Sequence, residues 1–203
     1  MPDRIEPLRI EPLRVAVLVG STREGRLAPV VTKWLTGHIE QRDDLTADVV
    51  DLAETPLPTV FPAFGRQPPP GSREQLALVS PRLGAADAFV LVTPEYNHSF
   101  PASLKNAIDW HGEEWHGKPV GFVSYGGLSG GLRAVEHLRV VMAEVNATTI
   151  RNTVSFHDVW SRFDEDGACK DPAADTAAKA LLDQLAWWGH ALREAKSVRR
   201  YVA

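Results

Sequence analysis

Five short apolar runs, each followed by a turn and a segment of helical spacing, succeed one another along this chain. The runs are Arg14 to Val19, Ala47 to Leu52, Ala86 to Thr93, Pro119 to Ser124 and Ala147 to Val154. Runs this short and rich in β-branched residues read as fully buried strands. The segments between them read as helices over Leu27 to Ile39, 73–83, Ala102 to Trp110 and Leu132 to Val145. Ser72 is the expected cap of the second helix. Asp171-Pro172 opens a last helix over about 173–196, because proline is tolerated in a first turn. Regular β-α alternation predicts the α/β class, a parallel sheet with helices on both faces.

The remaining segments have their own signatures. Ile-Glu-Pro-Leu-Arg occurs twice in succession, at 5–9 and 10–14. Its prolines forbid a continuous helix, so residues 1–13 are expected to be a disordered tail. Residues 53–72 carry six prolines and read as a long loop, which in a compact domain is functional or disordered. Without a large repeat or a linker, 14–198 reads as a single domain and 199–203 as a C-terminal tail.

Charge and cysteine content exclude several classes. Lys+Arg number 22 and Asp+Glu 26, a net charge of −4, which is not the balance of a nucleic-acid binder. It also falls short of the strong charge that steers small electron carriers to their partners. The single cysteine, Cys169, permits no intramolecular disulfide and sits in an acidic loop that disfavours its thiolate. No run approaches a membrane span and no apolar signal core opens the chain, so a cytoplasmic protein is expected. None of the seven histidines forms a helix-face metal pair with a third ligand.

Three strand-to-helix turns carry the chemistry. The first, Gly20 to Arg26, combines Ser21 and Thr22 hydroxyls with Arg23 and Arg26 at a helix N-terminus, a setting that suits a phosphate. It is neither Gly-x-Gly-x-x-Gly nor a Gly-Lys-Ser/Thr loop, which favours one phosphate over a pyrophosphate. An ordinary capped turn with solvated arginines satisfies the same residues. The second turn is Pro94-Glu95-Tyr96-Asn97, continuing His98-Ser99-Phe100-Pro101. The third, Ser124-Tyr125-Gly126-Gly127-Leu128-Ser129-Gly130-Gly131, has glycines that permit positive φ and close approach of the backbone to a flat ligand.

Taken together, Gly20-Ser21-Thr22-Arg23, Pro94 to Asn97, Ser103 to Trp110, Gly117-Lys118-Pro119, Ser124 to Gly127 and Gly130 to Ala134 resemble the NADPH-dependent FMN reductase family, over about residues 14–155. The resemblance implies a flavodoxin-like three-layer sandwich with a five-stranded parallel sheet of order 2-1-3-4-5. It implies FMN as cofactor and NAD(P)H as co-substrate. The phosphate would lie on Ser21, Thr22, Arg23 and Arg26, and the isoalloxazine along Pro94, Glu95, Tyr96 and Asn97. Ser124, Tyr125, Gly126 and Gly127 would approach the pyrimidine edge. Arg26 and Leu27 stand where the family's loop usually continues with Ser and Asn. The flavin carries the reaction, so no catalytic dyad is required. Electrons would pass to free flavin, a quinone, an azo compound, a metal oxyanion or a monooxygenase partner. Relatives of this kind are homodimers or homotetramers, and Trp110 and Trp115 flank the expected interface.

Two other readings compete. Gly127-Leu128-Ser129-Gly130-Gly131 satisfies Gly-x-Ser-x-Gly, with Asp158 and His190 following in the order of an α/β-hydrolase triad. That reading leaves the first two turns unexplained. The other alternative is a non-enzymatic electron carrier of flavodoxin type.

Overall fold

The computed structural model describes residues 11–202. Its strands are β1 (Leu13–Val19), β2 (Leu45–Asp51), β3 (Ala88–Pro94), β4 (Pro119–Tyr125) and β5 (Thr148–Phe156). Its helices are α1 (Ala28–Glu40), α2 (Pro70–Ala85), α3 (Ala102–Trp110), α4 (Leu132–Glu144) and α5 (Pro172–Val198). The sheet runs β2-β1-β3-β4-β5, with every neighbouring pair parallel. This is the expected order.

Side-chain alternation along the strands sorts the core into two layers. Val15, Val17 and Val19 of β1 share one cluster with Leu35 of α1 and with Leu181 and Leu185 of α5. Ala16 and Leu18 point the other way, into a cluster with Leu83 of α2, Ile108 of α3 and Leu138 of α4. Two helices therefore cover one face and three the other. Full burial of each such aliphatic side chain is worth ~1.5–3 kcal/mol. Gly189 of α5 lies so close to β1 that a Cβ there would come within 2.6 Å of Leu13 Cδ1. A helical glycine costs ~1 kcal/mol relative to alanine, and this one is offset by the close docking of α5 on the sheet.

Several boundaries differ from the sequence reading. Leu13, expected in the tail, is fully buried and pairs with Leu45 in the sheet. Residues 1–10 of that tail lie outside the described residues. Ser72 is not a cap: α2 begins at Pro70 with Pro69 at its N-cap, because proline's fixed φ suits the first turn. The proline-rich loop therefore ends a few residues early. Asp171 does cap α5, accepting from the Ala173 N–H at 3.0 Å. Tyr201, placed in the C-terminal tail, lies against Gly117, with ring atoms 3.0 Å from the position of a Cβ there. Trp115 is core, whereas Trp110 pins the proline-rich loop: its indole N–H donates to Pro58 O at 2.6 Å and its ring stacks on Phe61. Among the described residues no helix is long and apolar enough to cross a membrane.

Candidate functional site

The three turns follow β1, β3 and β4, which are neighbours in the sheet. From β1 the chain crosses outward to β2, and it then returns to β3 on β1's other side, so a crevice opens beyond the strand ends between β1 and β3. Such reversals of strand order are where open α/β sheets take ligands. Here the crevice is a cleft of about 320 Å³, lined among others by Arg23, Tyr96, Asn97, Tyr125, Gly127 and Trp160.

The first turn is tied to its surroundings at three points. The Ser21 hydroxyl is 2.8 Å from the Tyr96 hydroxyl. Ser103 Oγ donates to the Gly20 carbonyl at 2.6 Å. Arg26 donates to the Ser21 carbonyl at 2.6 Å and forks onto Asp51, at 2.5 Å and 2.8 Å. The hydrogen bond to Asp51 raises the Arg26 pKa against the opposing effect of burial. Arg26 is thus engaged as a brace, whereas exposed Arg23 lies with its guanidinium 4.6 Å from the Tyr96 ring centre. From Ser21 to Leu27 no main-chain N–H donates to a main-chain acceptor among the described residues. Thr22 lines a neighbouring groove of about 590 Å³ with Leu57, Ser103 and Asn106.

The second turn is a tight reversal. Tyr96 N–H donates to Ser99 O at 2.8 Å and Ser99 N–H to Tyr96 O at 3.1 Å. Asn97 and His98 between them have φ of 48° and 75°. Two successive positive φ values make this a type I′ turn, in which asparagine is favoured. The Glu95 carboxylate, nearly enclosed, points back into the fold. It accepts from Ser129 Oγ at 2.5 Å and pairs with Arg133 at 2.5 Å. Burial raises its pKa, but the Ser129 and Arg133 hydrogen bonds outweigh that and leave it below the usual carboxylate range. Arg133 also donates to His98 Nδ1 at 3.0 Å.

In the third turn the glycines divide by role. Gly130 and Gly131 have φ of 60° and 86°. A Cβ on Gly131 would come within 2.7 Å of Ser124 Cβ and 2.9 Å of Tyr125 N. These two let the loop fold onto its own strand, where the wholly buried Ser124 donates to Gly130 O at 2.9 Å. Gly126 and Gly127 line the cleft instead. So does Tyr125, whose enclosed hydroxyl has no hydrogen-bond partner among the described residues. Burial pushes its pKa well up; the nearby Ser21 hydroxyl moderates the rise without forming a well-aligned bond.

The structure therefore brings Ser21, Arg23, Arg26, Pro94, Glu95, Tyr96, Asn97, Tyr125, Gly126 and Gly127 to one cleft, with Thr22 on its neighbouring groove and Ser124 beneath the glycine loop. Sequence reasoning missed Asp51 and Trp160. Ser129 is held by Glu95, and no histidine bonds it among the described residues; His190 instead neighbours Arg193 at 3.4 Å. The hydrolase triad is not assembled. No cluster of metal-ligating side chains occurs among the described residues.

Comparison with known proteins agrees with this geometry. The family model for NADPH-dependent FMN reductase matches residues 13–161. An NAD(P)H-dependent FMN reductase of Schizosaccharomyces pombe is 36% identical over 130 residues, 62% of this chain and 64% of the relative. The chain thus spans just under two thirds of that relative's length. An FMN-dependent NADPH-azoreductase of Staphylococcus saprophyticus is 28% identical over 175 residues, covering 83% of this chain and 91% of the relative. Among solved structures, the flavoenzyme FerB of Paracoccus denitrificans, an NAD(P)H:(acceptor) oxidoreductase, superposes with a TM-score of 0.69 at 25% identity, covering 88% of this chain and 98% of that one. With a family match over most of its length and the three turns of that match gathered in one cleft, this chain belongs to the NADPH-dependent FMN reductase family.

Proposed function

We propose that this chain is an FMN-dependent NAD(P)H oxidoreductase, in which bound FMN supplies the redox chemistry by taking a hydride from NAD(P)H and handing the electrons to a small-molecule acceptor. One observation carries the reading. The loop Ser21 to Leu27, none of whose main-chain N–H groups donates to a main-chain acceptor among the described residues, borders the crevice just before the N-terminus of α1. Free N–H groups ahead of a helix N-terminus suit an anionic ligand such as a phosphate.

The residues fit one phosphate and one flat ring system. Ser21, Thr22 and Arg23 offer hydroxyl and guanidinium donors beside the α1 N-terminus, and Arg26 holds that loop in shape through Ser21 O and Asp51. The Pro94–Asn97 turn lines the cleft and would border the ring. Its Glu95 and Tyr96 N–H groups are spent on Tyr125 O and Ser99 O, which leaves Asn97 N–H without an acceptor among the described residues. On the third turn Gly126 N–H is spent on Phe156 O, and Gly127 N–H has no acceptor among the described residues. Donors of this kind stabilise charge that develops on a reduced ring. Ser124 supports the same strip from below by holding Gly130 O.

The names of the azoreductase and FMN reductase relatives support an azo compound or free flavin as acceptor; a quinone, a metal oxyanion and a flavin-dependent monooxygenase are our further candidates for this chain. We place the protein in the cytoplasm as a homodimer or homotetramer. The test is direct. Purified protein should be yellow, should release FMN on denaturation, and should oxidise NAD(P)H with a quinone. Recovery of FAD alone, or apoprotein that binds no FMN, overturns the proposal.

A further inference from the structure

Trp160 occupies the short 3-10 turn Val159–Ser161 after β5, and its side chain is mostly solvent-exposed, at 71%. A tryptophan carries a large apolar surface and is usually well covered. The other strongly exposed indole, Trp187 on α5, has Trp188 against it at 5.0 Å between centres. Trp160 has no such aromatic partner among the described residues.

Its backbone is nonetheless firmly held. Asp158 N–H donates to Gly127 O at 2.9 Å and Val159 N–H to Gly126 O at 3.0 Å. Ser161 Oγ donates to Asp158 O at 2.9 Å and Arg162 Nε to His157 O at 2.8 Å. Val159, the neighbour of Trp160, is anchored in the core. These bonds fasten the turn to the same two glycines that border the cleft. The indole lines the cleft beside them, with ring atoms 3.7 and 3.8 Å from the position of a Cβ on Gly127. A rigidly mounted, exposed aromatic next to a strip without side chains forms one wall of a slot for a flat ring.

We propose that Trp160 is an aromatic platform of this cleft, packing its indole against the isoalloxazine. The assignment rests on the FMN reading. An electron-rich indole and an electron-poor flavin stack favourably, and loss of such a contact on alanine substitution weakens binding about tenfold. Trp160→Phe keeps a flat ring in place and should retain most of the affinity.

The test uses apoprotein of wild type, Trp160→Phe and Trp160→Ala, titrated with FMN while indole emission and flavin absorbance are followed. We expect wild type to lose more indole emission on FMN binding than Trp160→Phe. The alanine variant should bind about tenfold more weakly than either, and its flavin absorption band should differ in shape from that of wild type. All three apoproteins should melt alike. Equal FMN affinity and identical flavin spectra in wild type and Trp160→Ala overturn the platform while leaving the cofactor assignment standing. Wild type that binds no FMN overturns both.

Discussion

The hydroxyls of Ser21 and Tyr96 lie 2.8 Å apart, joining the loop after β1 to the turn after β3 across the mouth of the cleft. Ser21 is almost wholly buried and Tyr96 half-buried, so the bond is partly shielded from water. A typical hydrogen bond of this kind contributes ~1 kcal/mol, and leaving one partner unsatisfied costs somewhat more. Ser21→Ala should therefore weaken FMN binding roughly tenfold, through a lost phosphate donor and a loosened loop. Tyr96→Phe, which keeps the ring under Arg23, should weaken it less. Isothermal titration of the two apoproteins with FMN ranks them, and the opposite order would put the Ser21 hydroxyl outside the phosphate site.

Arg23 and Arg26 should separate binding from stability. Arg23 is exposed and has no acidic partner among the described ion pairs, so it is available to a phosphate. Arg23→Ala should lower FMN affinity about ten- to hundredfold, the worth of a charged hydrogen bond of ~1.5–3 kcal/mol. The apoprotein should melt as wild type does. Arg26→Ala leaves the mostly buried Asp51 carboxylate with the Ala53 N–H as its one remaining donor among the described residues, and removes the Arg26 bond from the Ser21 carbonyl. That variant should lose on the order of 2 kcal/mol of stability, or several degrees in the melting temperature of a chain this size. Its FMN affinity should fall less than that of Arg23→Ala. Melting curves and FMN titrations on both variants decide the matter.

The Glu95 clasp predicts a pH dependence. Its folded pKa lies below the unfolded value of about 4.3, because Ser129 and Arg133 favour the carboxylate. Its contribution is therefore complete above the unfolded pKa and disappears as pH falls through the folded one. Glu95→Gln should be less stable than wild type at neutral pH, and the gap should close on acidification. Denaturant unfolding from pH 7 down to pH 3 measures it; a gap that widens toward acid would contradict the sign. Ser129→Ala should show a smaller loss of the same sign and should still oxidise NAD(P)H, as a structural hydroxyl would.

Much of this was legible in the chain. Buried strands such as Ala88–Pro94 announce themselves as unbroken apolar runs, because a parallel strand covered on both faces has no polar side to alternate. The turns were legible because glycine, proline and asparagine are chosen for backbone reasons. The start of α2 was not, since Ser72 and Pro70 both signal a first turn and only packing decides between them. Nor could the bracing of Arg26 be read: Asp51 ends a different strand, and nothing local marks the pair. Trp160 escaped for the same reason. It follows β5, and it reaches the cleft only because Gly126 and Gly127 hold its turn through their carbonyls.

The glycines of the third turn supply the sharpest contrast. Gly131 has φ of 86°, and a Cβ there would meet Ser124 Cβ at 2.7 Å and Tyr125 N at 2.9 Å. One of those atoms is main chain at the end of β4, paired on both sides in the sheet, and cannot swing away. Gly131→Ala should therefore combine left-handed strain with overpacking, a loss on the order of 3 kcal/mol. Gly127 is different. Its φ is not in the left-handed region, and a Cβ would make only ordinary contact, 3.7 Å from the Trp160 ring. Gly127→Ala should fold with near wild-type stability, but its methyl group would stand in the strip proposed for the flat ring. It should bind FMN at least tenfold more weakly, whereas Gly131→Ala should show its main defect in the melting of the apoprotein. Measuring both quantities on both variants distinguishes a glycine kept for the fold from one kept for the ligand. If Gly127→Ala binds FMN as wild type does, the ring does not approach the third turn.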